Sequence, residues 1–380
     1  MSKKSQTPDY PSDVAVKQPK KKKKGSGLLG RIVRRFFLVL FTLILVILVA
    51  VWLAANLIFN GPSPAARDLL TMTLLEPSGT MWIPGLFMDE ETLNSIRYSD
   101  ESNLTEDFSD VSQVVINKNT AIAADTDEWA NYPDGIYIES YAGDTFNAHI
   151  MVIRDPSKVY LATSTEKFST AIPGTRITDQ IETEGAIAAI NAGAFFDNGT
   201  SAPSVGATPE GLVYSKGECK WTTGSPPNAS GFAGFNEDDI LVVAKENLTK
   251  AKAEELNIRD GCCFGPVLIM NGEINQEAYS TASLNPRTAL GQRSDGAVIF
   301  VCIDGRQAGS MGGTYADIID IMVEYGAVNA CNMDGGSSSV MLYRDTYGLF
   351  GEAGQVQMIN NYSLLQEQPR KMPTFWMVAG

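Results

Sequence analysis

Histidine is almost missing from this chain: His149 is the only one in 380 residues. It falls in a strand-like segment, away from every glycine-rich motif, and reads as a satisfied core or surface side chain. A His-dependent triad, a multi-histidine zinc site or a phosphohistidine mechanism therefore has almost no raw material. The five cysteines (Cys219, Cys262, Cys263, Cys302 and Cys331) form no C-x-x-C pair, so structural zinc is not expected. No glycine loop carries the Lys-Ser or Lys-Thr of a phosphate-binding loop, and none has dinucleotide spacing. What remains for chemistry is carboxylates, arginine, asparagine, hydroxyls and backbone amides. That set suits glycosyl chemistry, where two carboxylates and a polarised leaving group suffice.

Charge is missing from Phe36 to Phe59, 24 residues dominated by Leu, Val, Ile and Phe. At ~1.5 Å per residue the run spans on the order of 36 Å, enough for a ~30 Å hydrocarbon core. Ala54-Ala55-Asn56 is a poor cleavage site, so the segment reads as an uncleaved signal-anchor. Lys20 to Lys24, Arg31, Arg34 and Arg35 mark the cytoplasmic flank, which places everything after residue 60 outside the cell. The expected organisation is a basic cytoplasmic tail (1–35), a transmembrane helix (36–59), a helical and acidic stalk (60–134) and a large domain (135–380). Residues 1–59 hold eleven Lys or Arg against two Asp. Of the chain's net −14, the remainder therefore carries −23. Such a field repels nucleic acid, which is not expected as a partner.

The stretch from Asn285 to Met341 is the richest in signals. Ala297 to Ile303 is a nearly unbroken apolar run with the composition of a strand buried on both faces. Asp304-Gly305 ends it, and a loop with Gly309, Gly312 and Gly313 follows. Thr314 then stands three residues before Asp317, the spacing of a capping box. Ile318, Ile321, Met322 and Tyr325 form one helical stripe that Gly326 can end. A second apolar segment, Ala327 to Met333, leads into Asp334-Gly335-Gly336 and the serines Ser337 to Ser339. If both strands share a sheet, the helix makes them parallel and brings Asp304 and Asp334 to one edge. Either Asp-Gly alone serves as well to turn the chain; the pair, with Gly-Gly-Ser-Ser-Ser behind the second, favours a site.

Around this unit the sequence predicts short helices at 65–75, 89–96 and 250–256. Strands are expected at 136–138, 149–153, 159–162 and 186–190, with another starting at Glu210 and one at 267–270 leading to the Asn271-Gly272 turn. The fold class expected is α+β, with a buried mixed sheet that contains the strand-helix-strand unit. Cys302 and Cys331 lie on its two strands, where a disulfide and two buried free thiols are both open.

Residues from about 145 to 380 resemble the phosphodiester glycosidase family. The likeness is carried by Asn191-Ala192-Gly193-Ala194-Phe195-Phe196, Gly265-Pro266 and Pro286-Arg287-Thr288-Ala289-Leu290-Gly291. It continues in Asp304-Gly305-Arg306, Gly312-Gly313-Thr314 and Asp334-Gly335-Gly336. The resemblance implies hydrolysis of a sugar 1-phosphodiester, N-acetylglucosamine-like, in bacterial cell-surface or exopolysaccharide material. In such a reaction Arg287 holds phosphate oxygens, with Arg306 as a second candidate, aided by N–H groups at Gly312 and Gly313 and by Thr314. Asp334 or Asp304 activates water or stabilises the oxocarbenium-like centre. Asn191 orients sugar hydroxyls, with Gly335, Gly336, Ser337 and Ser338 lining the substrate. No metal site is assigned, although oxygen-rich loops suit calcium or another divalent cation, for which Asp304, Asp334 and the serine hydroxyls are the candidate ligands. The competing expectation is a non-catalytic cell-wall or polysaccharide-binding module tethered to the membrane.

Overall fold

The computed structural model describes residues 27–76, 79–97, 103–116, 129, 131–196, 205–223, 231–307, 309–362 and 368–380. The basic run Lys20 to Lys24 and most of the acidic stretch 100–128 lie outside the described residues. The chain forms two compact units, Met1–Leu57 and Ile58–Gly380. The first holds helix α1 (Leu28–Phe59) up to Leu57, its last two residues belonging to the second; Gly30–Phe59 is long and apolar enough to cross a membrane.

The second unit holds helices α2 (Pro64–Leu75), α3 (Glu90–Arg97), α4 (Ile177–Glu184), α5 (Lys250–Glu255), α6 (Gln276–Ser280) and α7 (Tyr315–Glu324). Its strands are β1 (Ile136–Ala142), β2 (Asn147–Ile153), β3 (Val159–Thr163), β4 (Ala188–Asn191), β5 (Leu212–Ser215), β6 (Glu218–Thr222), β7 (Phe232–Asn236), β8 (Leu241–Ala244) and β9 (Ile258–Cys263). They continue with β10 (Val267–Met270), β11 (Glu273–Ile274), β12 (Arg287–Arg293), β13 (Val298–Ile303), β14 (Ala327–Met333), β15 (Met341–Arg344), β16 (Val356–Met358) and β17 (Thr374–Val378). They make three sheets: β1-β2-β13-β12-β14-β10-β11, β16-β15-β4-β17-β3 and β6-β5-β9-β7-β8.

The seven-stranded sheet is buried on both faces, as the apolar runs require. Ile299, Val301 and Ile303 of β13 pack toward α7, whose Ile318, Ile319, Ile321 and Met322 are buried. Burying side chains of this size stabilises by roughly 1.5–3 kcal/mol each. On the opposite face Phe300, Cys302, Leu290 and Met333 join a core with Ile190, Val213 and Trp376 from the other two sheets. The capping box is formed at α7: Thr314 Oγ1 accepts from Asp317 N at 3.1 Å, and the Asp317 carboxylate accepts from Thr314 N at 2.7 Å. The Asn271-Gly272 turn has φ of 54° and 77°, joining β10 to β11.

One expectation about this sheet is corrected. Its two Asp-terminated strands point the same way but are not neighbours, because β12 lies between them, antiparallel to both. Every pairing in the sheet is antiparallel, so it is not mixed. The same insertion removes the disulfide. Cys302 pairs across from Thr288 and Cys331 from Leu290, so two strand spacings, roughly 9–10 Å, separate their backbones. That exceeds the reach of a disulfide. All five cysteines are free thiols.

Candidate active site

The edge of the sheet where β13 and β14 end is also where β12 begins. Arg287 opens β12, paired with Ile303, while Thr288 pairs with Cys302 on one side and Met333 on the other. Asp304 and Asp334 thus leave the sheet on either side of Arg287. Two glycines make the crossing possible. Gly312 has φ of 99°, and a Cβ there would stand 2.5 Å from the Asn285 carbonyl carbon; a Cβ on Gly335 would stand 2.8 Å from Pro286 O. Backbone hydrogen bonds replace those clashes: Asn285 and Gly313 exchange a pair at 3.1 and 3.0 Å, and Gly336 N donates to Pro286 O at 2.9 Å.

Ser283, Asn285 and Arg287 alternate along the extended chain entering β12, and all three side chains are buried and converge on one carboxylate. That carboxylate belongs to Glu76, just after α2. Arg287 Nη2 donates to Glu76 Oε1 at 3.2 Å and Ser283 Oγ donates to the same oxygen at 2.7 Å; Asn285 Nδ2 donates to Glu76 Oε2. Arg287 is 3% exposed. Its Nε donates to Gly313 O at 3.0 Å, and its guanidinium carbon lies 3.7 Å from the Tyr315 ring centroid. Burial, reinforced by Glu76, pushes the Tyr315 phenol well above its usual range, so it stays neutral. Arg306 Nη2 donates to Asn285 Oδ1 and, at 3.4 Å, to Leu284 O. The result is a cradle of one arginine, a serine hydroxyl and an amide around an anionic group, with Arg306 bound to the far side of the amide.

On the other side of β12, Asp334 is half-buried and its backbone is clamped from β4. Asp334 N donates to Ala192 O at 3.0 Å, and Asn191 Nδ2 donates to Asp334 O at 2.6 Å. Asn191 Oδ1 accepts from Thr288 Oγ1 at 2.8 Å and Val340 N at 3.1 Å. The residue is fully buried with its polar atoms spent on the protein, so it positions the Asp334 turn rather than meeting a sugar. Ser338 and Ser339 have buried hydroxyls with no hydrogen-bond partner among the described residues, next to exposed Ser337. Ser337 O accepts from Tyr362 Oη at 2.5 Å, and Arg370, which lies over Phe195 at 4.7 Å, donates to Ser337 Oγ at 3.4 Å.

Asp304 is placed differently from the expectation of a water-activating carboxylate. It has no exposed surface, and its carboxylate accepts from Asn361 N and Nδ2, both at 2.8 Å, from His149 Nε2 at 3.2 Å and from Gln307 Nε2 at 3.4 Å. A carboxylate ringed by N–H donors is a structural anchor and offers a cation nothing; among the described residues no group of three or more His, Cys, Asp or Glu could hold a metal. His149, expected to stand apart, is brought to Asp304 because β2 neighbours β13, with His149 opposite Cys302. Its Nδ1 lies 3.3 Å from Ser140 Oγ. Ser140 sits in regular antiparallel pairing on the edge strand β1, so the chain Ser140–His149–Asp304 braces the sheet end.

The sequence profile of the phosphodiester glycosidase family matches residues 184–379, just over half of the chain. The SPbeta prophage-derived uncharacterized protein YomE of Bacillus subtilis (strain 168) is 26% identical over 189 residues, which cover 49% of this chain and 27% of that protein. The chain thus spans about a quarter of that relative's length. The catalytic domain of zebrafish N-acetylglucosamine-1-phosphodiester alpha-N-acetylglucosaminidase, auto-inhibited by its pro-peptide, aligns with a TM-score of 0.48 and 19% identity, covering 64% of this chain and 82% of that one. A hypothetical protein from Synechocystis aligns with a TM-score of 0.44 and 16% identity, over 65% and 62% of the two chains.

Proposed function

The chain belongs to the phosphodiester glycosidase family, and on that premise we propose that it hydrolyses the glycosidic bond of a sugar 1-phosphodiester in cell-surface or exopolysaccharide material. One observation carries this reading. Ser283, Asn285 and Arg287 aim their donors at a single anionic group at the edge where the Asp334-Gly335-Gly336 turn emerges. The Glu76 carboxylate stands in for two oxygens of a phosphodiester, and Arg287 has the planar fork that phosphate recognition requires.

The chemistry follows from the leaving group. Breaking the anomeric C1–O bond expels a phosphate monoester, far less basic than an alcohol, so little general-acid help is needed. Arg287 and Arg306 take the charge that develops on it. Asp334 then stabilises the oxocarbenium-like centre or activates water, and Asn191 keeps its turn in register. Ser337 and Ser338, with the backbone of Gly335 and Gly336, line the sugar. N-acetylglucosamine is the sugar we assign. We read α1 as a signal-anchor that holds the enzyme at the cell membrane with residues 60–380 outside.

The test is release of free sugar from N-acetylglucosamine 1-phosphodiesters by the full chain in detergent. Arg287→Lys should abolish most of it despite the retained charge, since an ammonium cannot present the fork. Tight binding of the diester without any turnover would replace the enzyme with a tethered binding module.

A further inference from the structure

Between α2 and α3 the chain displays apolar side chains that a water-facing surface would not select. Met81, Trp82 and Leu86 are 50%, 62% and 67% exposed, within six positions of one another. The segment is nonetheless built. Ile83 N donates to Thr80 O at 2.9 Å, Leu86 N to Ile83 O at 3.0 Å and Phe87 N to Pro84 O at 3.0 Å. Trp82 Nε1 donates to Gly79 O at 3.1 Å, so the indole carries its polar edge satisfied and its apolar face outward.

What lies beside this segment says what it meets. Phe87 stacks on Phe59, ring centroids 4.8 Å apart and planes 17° from parallel. Phe59 is the last residue of α1 and ends the uncharged run that begins at Phe36. If Arg31, Arg34 and Arg35 lie at one membrane surface, the ~36 Å of helix that follows carries Phe59 through a ~30 Å hydrocarbon core to the opposite headgroups. Residues held against Phe59 are then at headgroup depth, where tryptophan concentrates in membrane proteins. Asp89, Glu90 and Glu91 follow at once at the start of α3 and mark the aqueous limit.

The geometry points to a second membrane contact: Met81, Trp82 and Leu86 seat in the headgroup–acyl boundary of the leaflet where α1 ends. The occupant is a lipid surface, zwitterionic rather than anionic because of the adjoining carboxylates. The inference rests on the reading of α1 as a membrane span.

Full chain in nanodiscs of phosphatidylcholine, with or without bromine on the acyl chains near the headgroup, separates the two. The emission lost in Trp82→Phe reports Trp82 alone, while Trp52, Trp129, Trp221 and Trp376 remain in both proteins, and of these only Trp52 lies on α1. Brominated lipid should quench the Trp82 difference signal, as expected for a side chain at the headgroup–acyl boundary, and also part of the emission common to both proteins. Quenching of the common emission with an unquenched difference signal overturns the seat and leaves the span. Absence of quenching in both signals overturns the span and the seat together. Met81→Glu with Leu86→Glu should weaken Trp82 quenching without altering that of Trp52; unchanged quenching would count against the seat.

Discussion

Glu76 and Arg287 are 211 positions apart in sequence and form an ion pair at 3.2 Å, with the guanidinium almost wholly buried and the carboxylate a quarter exposed. The acid comes from outside the residues matched by the family profile; the base opens the central strand of the site. A phosphodiester that uses Arg287 must therefore compete with Glu76.

Glu76→Gln should accordingly do two opposite things. Arg287 keeps its burial and loses its countercharge, which should cost roughly 1.5–3 kcal/mol, the worth of a hydrogen bond to a charged group. Calorimetry should show the lower unfolding temperature. Competition for the fork weakens at the same time, so KM for a sugar 1-phosphodiester should fall several-fold. A variant that is less stable and also inactive would make Glu76 part of the machinery instead.

The thiols give a second check. Burial pushes the Cys263 thiol up to about 12 and raises Cys262, Cys302 and Cys331 as well, so none forms thiolate at neutral or mildly alkaline pH. Burial raises Cys219 too, but it alone is half-buried rather than buried, so access makes it the one that should react with a disulfide reagent at pH 8 in the native protein, with all five reacting in guanidinium. A Cys302–Cys331 peptide in a non-reducing mass map would contradict the strand order.

Local signals were the legible part. The capping box at Thr314, the α7 stripe, both apolar strands and the Asn271-Gly272 turn rest on neighbours within a few residues, and each forms where the sequence places it. Strand order was not legible. Nothing in Arg287 to Arg293 says that it slots between β13 and β14, and that insertion decided the cysteines and the sheet's pairing. The short strands β6 to β9 of the third sheet were also missed: polar residues dilute β6, and Gly234 and Gly261 interrupt β7 and β9, whereas Leu241 to Ala244 of β8 is an apolar run that carries its strand signal openly. At the site, Ser283 and Asn285 carried a readable signal, the alternation with Arg287 into a strand. Glu76 and His149 carried none, since only tertiary contact brings them in.

Asp304 tests whether a matched motif residue is a reactant or an anchor. Asn in its place puts an amide N–H₂ against donors from Asn361, His149 or Gln307. Asp304→Asn should lower stability by roughly 1–3 kcal/mol, read as a lower urea midpoint at unchanged slope. Full stability with lost turnover would return Asp304 to the chemistry.

Asp334 is the opposite case. Its main chain is fixed by Ala192 O and Asn191 Nδ2, while the residue itself remains half-exposed at the turn. Asp334→Asn is nearly isosteric and leaves both backbone bonds intact, so circular dichroism should hardly change. Turnover should fall roughly 100-fold or more, the scale of losing a general acid or base. Asn191→Ala should also cost turnover, but by releasing the turn, since it deletes the bonds to Asp334 O, Thr288 and Val340. The two losses are separable: Asn191→Ala should lower stability along with activity, whereas Asp334→Asn should lower activity far more than its effect on stability accounts for. Near-normal turnover in Asp334→Asn would remove its catalytic role and leave the Arg287 cradle as a binding site without a reactive carboxylate beside it.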